Sequence, residues 1–142
     1  MVRLVETRYE SAWWPQIVDL RLRVYVDEQG VPLDEELDAL DSTAIHWAAL
    51  EGETLVGTAR LVLGPDRAKF GRLAVERTWR RRGLGSRLLR AAVARARTEH
   101  LPQVILDAQT RVTALYEGLG FTAVGEVFLD AGIEHIRMIR DL

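Results

Sequence analysis

The chain has no cysteine among its 142 residues. That excludes disulfides, a thiolate nucleophile and any cysteine-based zinc site. Histidine is scarce: His46, His100 and His135 are widely spaced and form no ligand motif, so nothing points to a metal. No apolar run is long enough to span a bilayer, and the opening MVRLVETRYE lacks the apolar core of a signal peptide. A soluble, cytoplasmic protein with no membrane partner is the expectation. An excess of positive charge is also missing. Nineteen Lys and Arg face 21 Asp and Glu, a net charge of −2, which counts against nonspecific nucleic-acid binding. There is no internal repeat, linker or low-complexity segment. With 48% hydrophobic and 28% charged residues, the chain reads as one globular domain, residues 1–142, with a real core.

What is present is a connected strand, turn and helix from Phe70 to His100, FGRLAVERTWRRRGLGSRLLRAAVARARTEH. Phe70 to Val75 reads as a strand ending in Leu73-Ala74-Val75, and Arg77 to Arg82 as a basic connector. Gly83-Leu84-Gly85-Ser86 then opens a helix to about His100. Leu84, Leu88, Leu89, Ala92, Val93 and Ala96 share one face of it. The first N–H groups of a helix lack intrahelical partners, and glycine lets a phosphate approach them closely, so this turn is an anion site. Arg80, Arg81 and Arg82 add charge beside it. The third glycine of a dinucleotide fingerprint is missing, because position 88 is Leu, and so is the Gly-Lys-Ser/Thr of a P-loop.

The remaining elements follow in order. Val2 to Glu6 alternates as a half-buried strand, and a helix capped by Ser11 runs to about Val26 with Trp13, Ile17, Leu20 and Val24 on one face. Asp27 to Asp41 carries seven carboxylates and no basic residue. It reads either as a solvated loop with a short helix near Leu33 to Leu40, or as one wall of a pocket for a cationic amine. Ile45–Leu50, Thr54–Leu63 and the Phe70 strand form a meander. After Pro102, Gln103–Leu106 is a buried strand that a right-handed crossover sets parallel to Phe70–Val75. A helix over Arg111–Leu119 and a hairpin of Thr122–Leu129 with Glu134–Ile139 complete the chain.

Arg80-x-x-Gly83-x-Gly85 after a strand resembles the coenzyme A signature R/Q-x-x-G-x-G/A of the GNAT superfamily of N-acetyltransferases. Tyr116-Glu117-Gly118-Leu119-Gly120-Phe121 resembles that superfamily's Tyr followed by Gly-Phe, and the element order matches over nearly the whole chain. Arg23-Val24-Tyr25-Val26-Asp27-Glu28-Gln29, Asp38 to Asp41, His46, Ala108-Gln109 and Gly132-Ile133-Glu134-His135-Ile136 are similar to the ElaA-like branch. The resemblance implies an α/β (α+β) fold. Its mixed sheet has about seven strands, with parallel central strands splayed around the coenzyme arm and about four flanking helices. It implies acetyl-coenzyme A as co-substrate, no metal, and acetyl transfer to the primary amine of a small molecule, or of a peptide or protein. Monomer and homodimer both fit.

Site roles come from the same resemblance. The backbone of Leu73, Ala74 and Val75 would bond the pantetheine arm, and an N–H near Val75 would face the developing oxyanion. Arg80, Arg81, Arg82 and the turn Gly83, Leu84, Gly85, Ser86 would hold the phosphates. Gln109 stands where many members carry Asn. Tyr116 is the candidate general acid, since a phenol stays protonated at neutral pH and can donate to a departing thiolate. Glu28, His46, His135 and water are the candidate bases. Two other classes compete: a non-catalytic acyl-coenzyme A-binding sensor using the same cradle, and nucleic-acid binding through Arg80–Arg82 and the helix arginines. The second lacks aromatic residues among those arginines.

Overall fold

The computed structural model describes residues 1–142, which form seven strands and four α-helices. β1 (Val2–Thr7), β2 (Ile45–Glu51), β3 (Thr54–Leu63) and β4 (Ala68–Val75) pair antiparallel in turn. β5 (Gln103–Gln109) runs parallel to β4. The hairpin of β6 (Thr122–Asp130) and β7 (Ile133–Asp141) closes the sheet in the order β1-β2-β3-β4-β5-β7-β6. The expected mixed α+β sheet of seven strands is the observed one. No helix is long and apolar enough to cross a membrane.

Both faces of the sheet are covered, because β2 and β3 are apolar on both sides. On β2, Ile45, Trp47 and Ala49 point to one face and Ala48 and Leu50 to the other, the period of two of a strand. The first face packs on α3 (Leu84–Thr98). All six residues predicted to share a face of that helix are buried there. Truncating one of them, such as the fully buried Leu88, to Ala is expected to cost ~2–5 kcal/mol. The second face packs on α1 (Trp14–Arg21) through Ile17 and Leu20, with Val24 just beyond.

Two segments differ from the pattern read in sequence. After Arg21 the helix widens into π-type turns over Leu22–Glu28 instead of continuing as an α-helix to Val26. Periodicity at 3.6 residues per turn carries no signal for that widening. The acidic connector folds as two short pieces, α2 (Leu33–Glu36) and a 3₁₀ turn at Ala39–Ser42. It is neither a solvated loop nor simply a pocket wall. Arg21, fully buried, bonds Glu36 Oε1 and Asp41 Oδ1, both at 2.7 Å. Arg60 of β3 bonds Asp38 at 2.7 Å and Asp41 at 2.9 Å. With Glu28 bonded to Arg80 at 2.9 Å, four of the seven carboxylates are paired with arginines distant in sequence.

Candidate active site

β4 and β5 touch only where they begin. Ala68 pairs with Val104 and Lys69 with Ile105, and there the pairing stops. Beyond that point β5 keeps its full register with β7, from Gln103 opposite Asp141 to Gln109 opposite His135. β4 bends away because it holds one extra residue: Gly71 faces Arg60 and Ala74 faces Thr58. At this bulge Arg72 has φ +51, a left-handed conformation that costs a residue with a side chain ~1–2 kcal/mol. Its guanidinium is fastened to the acidic connector, on the carbonyls of Glu36 and Glu35 at 3.1 Å and on Asp38 Oδ2 at 3.2 Å. At the root of the fork Asp107 bonds Lys69 of β4 at 3.0 Å and Arg137 of β7 at 2.5 Å. Burial alone would raise the Asp107 carboxyl, but Arg137 and Lys69 hold it below the usual carboxylate range.

The fork opens into a cavity of about 930 Å³, large enough for an extended cofactor-sized ligand. The free edge of β4 faces it. Glu76 N–H donates to Val56 O at 2.8 Å, so by strand alternation Ala74 turns its backbone groups to Thr58 of β3. Leu73 and Val75 turn theirs to the fork. Their carbonyls already have partners: Tyr25 Oη donates to Leu73 O at 2.5 Å and Arg80 Nε to Val75 O at 3.0 Å. The Leu73 and Val75 N–H groups are left for a ligand.

α4 (Thr113–Glu117) follows β5 and brings Tyr116 to the cavity. The ring is 9% exposed and packs edge-on to Phe121 with centroids 6.4 Å apart. Its hydroxyl bonds to no protein atom, and no fully buried side-chain polar atom lacks a partner, so the hydroxyl reaches the open cavity. Burial pushes its pKa to about 12, which keeps the phenol protonated. The end of α3 nearest the fork has no side-chain cap, and Gly83 enters it at φ +79. The first N–H groups of that helix remain available to an anion. Such an uncapped helix end beside a cleft with a free strand edge accommodates a phosphate-bearing tail and an amide-rich arm.

Residues 23–142 match the family model described as an acetyltransferase (GNAT) domain. The chain belongs to the GNAT acetyltransferase family. This acetyltransferase is 34% identical over 123 residues to the uncharacterized N-acetyltransferase YjcF of Bacillus subtilis, covering 86% of this chain and 88% of the relative. Among solved structures it is similar to an acyl-CoA N-acyltransferase from Pseudomonas aeruginosa, with a TM-score of 0.89 and 30% identity over 99% of both chains. It is also similar to Escherichia coli ElaA, with a TM-score of 0.87 and 28% identity over 97% of this chain and 99% of that one.

Leu73, Val75, Arg80, Gln109 and Tyr116 line the cavity. Ala74 does not. Its backbone faces β3, and its side chain is buried against Ile17 and Leu20, because the bulge fixes which residues of β4 look into the fork. Arg81, Arg82, Gly83, Gly85 and Ser86 do not line the cavity; they form the turn into α3, where a Cβ at Gly85 would lie 3.5 Å from Leu73 Cδ2 of the lining. Leu84 is buried, so only its backbone is offered there. Arg82 lies over the Trp79 ring at 4.7 Å, and Arg80 Nη2 bonds Glu28 Oε2 at 2.9 Å. Gln109 donates to Gln29 Oε1 at 2.8 Å and accepts from Arg111 at 2.8 Å.

The three candidate bases part company. His46 is buried in β2 with Nε2 3.0 Å from Asp41 O, outside the cavity lining. Glu28 lines the cavity but is held by Arg80 at 2.9 Å, with Arg77 at 3.7 Å. His135 lines the cavity and donates Nδ1–H to Ile133 O at 2.7 Å, which leaves the Nε2 lone pair free in the neutral ring. Sequence reasoning missed Tyr25, Arg72 and Asp107 as site-builders. Tyr25 and Arg72 lay in stretches already singled out, but their roles depend on the π-type turns and on the bulge in β4.

Proposed function

We propose that the protein transfers an acetyl group from acetyl-coenzyme A to a primary amine, with residues 1–142 acting as one domain. The observation that carries this reading is the unpartnered hydroxyl of Tyr116 facing a fork whose free strand edge offers the Leu73 and Val75 N–H groups. The pantetheine arm takes the place of a strand against β4. The uncapped start of α3, with Gly83 to Ser86 and Arg80 to Arg82 around it, takes the phosphates. The Val75 N–H stabilises the carbonyl oxygen as it gains charge, an effect typically worth ~3 kcal/mol.

His135 Nε2 is the best placed of the candidate bases to take the amine's proton, since Glu28 is occupied by Arg80. The nitrogen attacks the thioester carbon, the carbon–sulfur bond breaks, and Tyr116 donates to the sulfur. A phenol near pKa 12 is a weak acid, so its proton moves only as the negative charge develops on the sulfur beside it. The test is free-thiol release from acetyl-coenzyme A with a panel of amines, paired with mass spectrometry of the product. Amine-dependent thiol release with one acetyl group gained by the amine is expected. Tight coenzyme binding with no release in the presence of any amine contradicts it and favours the sensor reading.

A further inference from the structure

The extra residue of β4 falls at Arg72 and Leu73. Arg60 faces Gly71 and Thr58 faces Ala74, so these two stand together opposite Ala59. A bulge of this kind has its first residue in the left-handed region, a place ordinarily filled by glycine. Here the glycine comes one position early. Gly71 lies outside that region, and Arg72 takes φ +51 instead. A strained residue with a long side chain persists only where its surroundings hold it.

Those surroundings are specific. Arg72 Nε donates to Glu36 O at 3.1 Å and lies 3.2 Å from Glu36 Oε2. Its Nη2 donates to Glu35 O at 3.1 Å and to Asp38 Oδ2 at 3.2 Å. The anchors are themselves fixed from the far side. Arg21 of α1 holds Glu36 and Arg60 of β3 holds Asp38, both at 2.7 Å. Arg21 and Arg60 also share Asp41 Oδ1. Because Arg60 faces Gly71, the tether closes a ring from Arg72 through Asp38 and Arg60 back to β4. Leu73, the other bulge residue, is held through its carbonyl by Tyr25.

Resting on the acetyl-transfer reading, we infer that Arg72 is a positioning residue: its tether to the acidic connector holds β4 in the bulged register that turns the Leu73 and Val75 N–H groups to the fork. Without the tether β4 is free to pair regularly with β3 past Gly71. That slip of one residue turns the Leu73 and Val75 N–H groups to β3 and the Ala74 N–H to the fork. The donor that faces the reacting carbonyl is then lost.

Three variants separate this role from a merely structural one. Arg72→Gly accepts the left-handed backbone and drops the tether. Arg72→Ala drops the tether and keeps the strain. Arg72→Lys keeps the charge but lacks the planar fork that reaches two carbonyls and Asp38 together. In all three, kcat is expected to fall about ten- to hundredfold, since a small displacement of a catalytic group suffices for that. Affinity for coenzyme A, held mainly by its phosphates, should change by less than about threefold. Stability should not follow kcat, because Arg72→Gly should melt above Arg72→Ala. In the free protein the Ala74 amide, paired to β3 only in the bulged register, should exchange about tenfold or more faster in Arg72→Gly than in wild type. A kcat within about twofold of wild type in Arg72→Gly would make the tether dispensable and overturn the inference. The same kcat in Arg72→Lys would overturn it too, since charge alone would then suffice. Unchanged Ala74 exchange in Arg72→Gly would overturn it whether or not acetyl groups are transferred. Absence of thiol release from wild type with every amine would instead overturn the acetyl-transfer reading, and with it the catalytic role given to Arg72.

Discussion

Tyr25 donates its hydroxyl to the carbonyl of Leu73 at 2.5 Å, joining the π-type turns after α1 to the bulged strand β4. Burial pushes the Tyr25 pKa well above the usual phenol value, so this donor stays protonated over any working pH. The bond holds the carbonyl next to the left-handed Arg72 and thereby sets which way the Leu73 and Val75 N–H groups point. Tyr25→Phe keeps the ring and removes only the donor. A stability loss of about 1 kcal/mol in urea titration is expected. A fall in kcat/KM for acetyl-coenzyme A of about tenfold should accompany it, more than that stability loss could cause in a folded protein. Unchanged kinetics would reduce Tyr25 to a packing residue.

The buried arginine cluster gives a second test. Arg21→Met leaves Glu36 and Asp41 without their closest cation, and ~3–5 kcal/mol of lost stability is expected. Arg23→Ala breaks an ion pair to Glu76 whose partners are partly exposed, and should cost no more than about 1 kcal/mol. Urea titration of both variants checks the contrast.

Stability should fall in two stages on acidification. Burial lowers the His46 pKa below its ordinary value. The unfolded chain therefore binds the proton first. The contribution of His46 is complete above about pH 6.5 and is lost as pH drops below it. Asp38, Asp41 and Asp107 are held low by their arginine and lysine partners, against the effect of burial. Their contribution is present above about pH 4 and is lost as pH falls through their depressed values. His46→Gln should abolish the first stage and spare the second, as read from urea midpoints across pH.

The rim turn can be tested without breaking the fold at Gly85, though not at Gly83. Gly83 has φ +79, so any side chain there is strained. A Cβ at Gly85 would meet only Leu73 Cδ2 at 3.5 Å and Leu115 Cδ2 at 4.0 Å, ordinary contacts. Gly85→Ala should keep coenzyme affinity, and Gly85→Val should lower it by about tenfold or more while melting near the wild-type temperature. Calorimetric titration of both proteins with coenzyme A measures this.

Tyr116→Phe separates chemistry from packing. As proton donor, its loss should lower kcat by ~10²–10⁴ with little change in KM for acetyl-coenzyme A. Because the hydroxyl bonds nothing in the protein, the melting temperature should stay close to wild type. Unchanged turnover would leave solvent as the proton source.

The elements with strong periodicity were legible in sequence. The α3 face was read residue by residue, since its six apolar positions all meet one sheet. The Gly-bearing turn and Tyr116 were legible because they form local motifs. Long-range pairing was not. Arg21 sits on a helix face like any surface arginine, and nothing local says that Glu36 and Asp41 lie opposite it. The bulge at Arg72 was hidden for a similar reason, because φ +51 is usually announced by Gly or Asn, and an anchored arginine takes their place here. Hence Ala74 was read as part of the site, when one extra residue turns it away.

In the proposed binding mode the groups that would hold acetyl-coenzyme A in the fork are backbone N–H groups, so side-chain substitution reaches them only indirectly. Amide hydrogen exchange at Leu73 and Val75, followed by NMR with and without acetyl-coenzyme A, probes them directly. Strong protection of both amides on adding the coenzyme, with the already paired Ala74 changing little, is the expected result. Binding that leaves the Leu73 and Val75 amides exchanging as in the free protein would contradict the placement of acetyl-coenzyme A between β4 and β5.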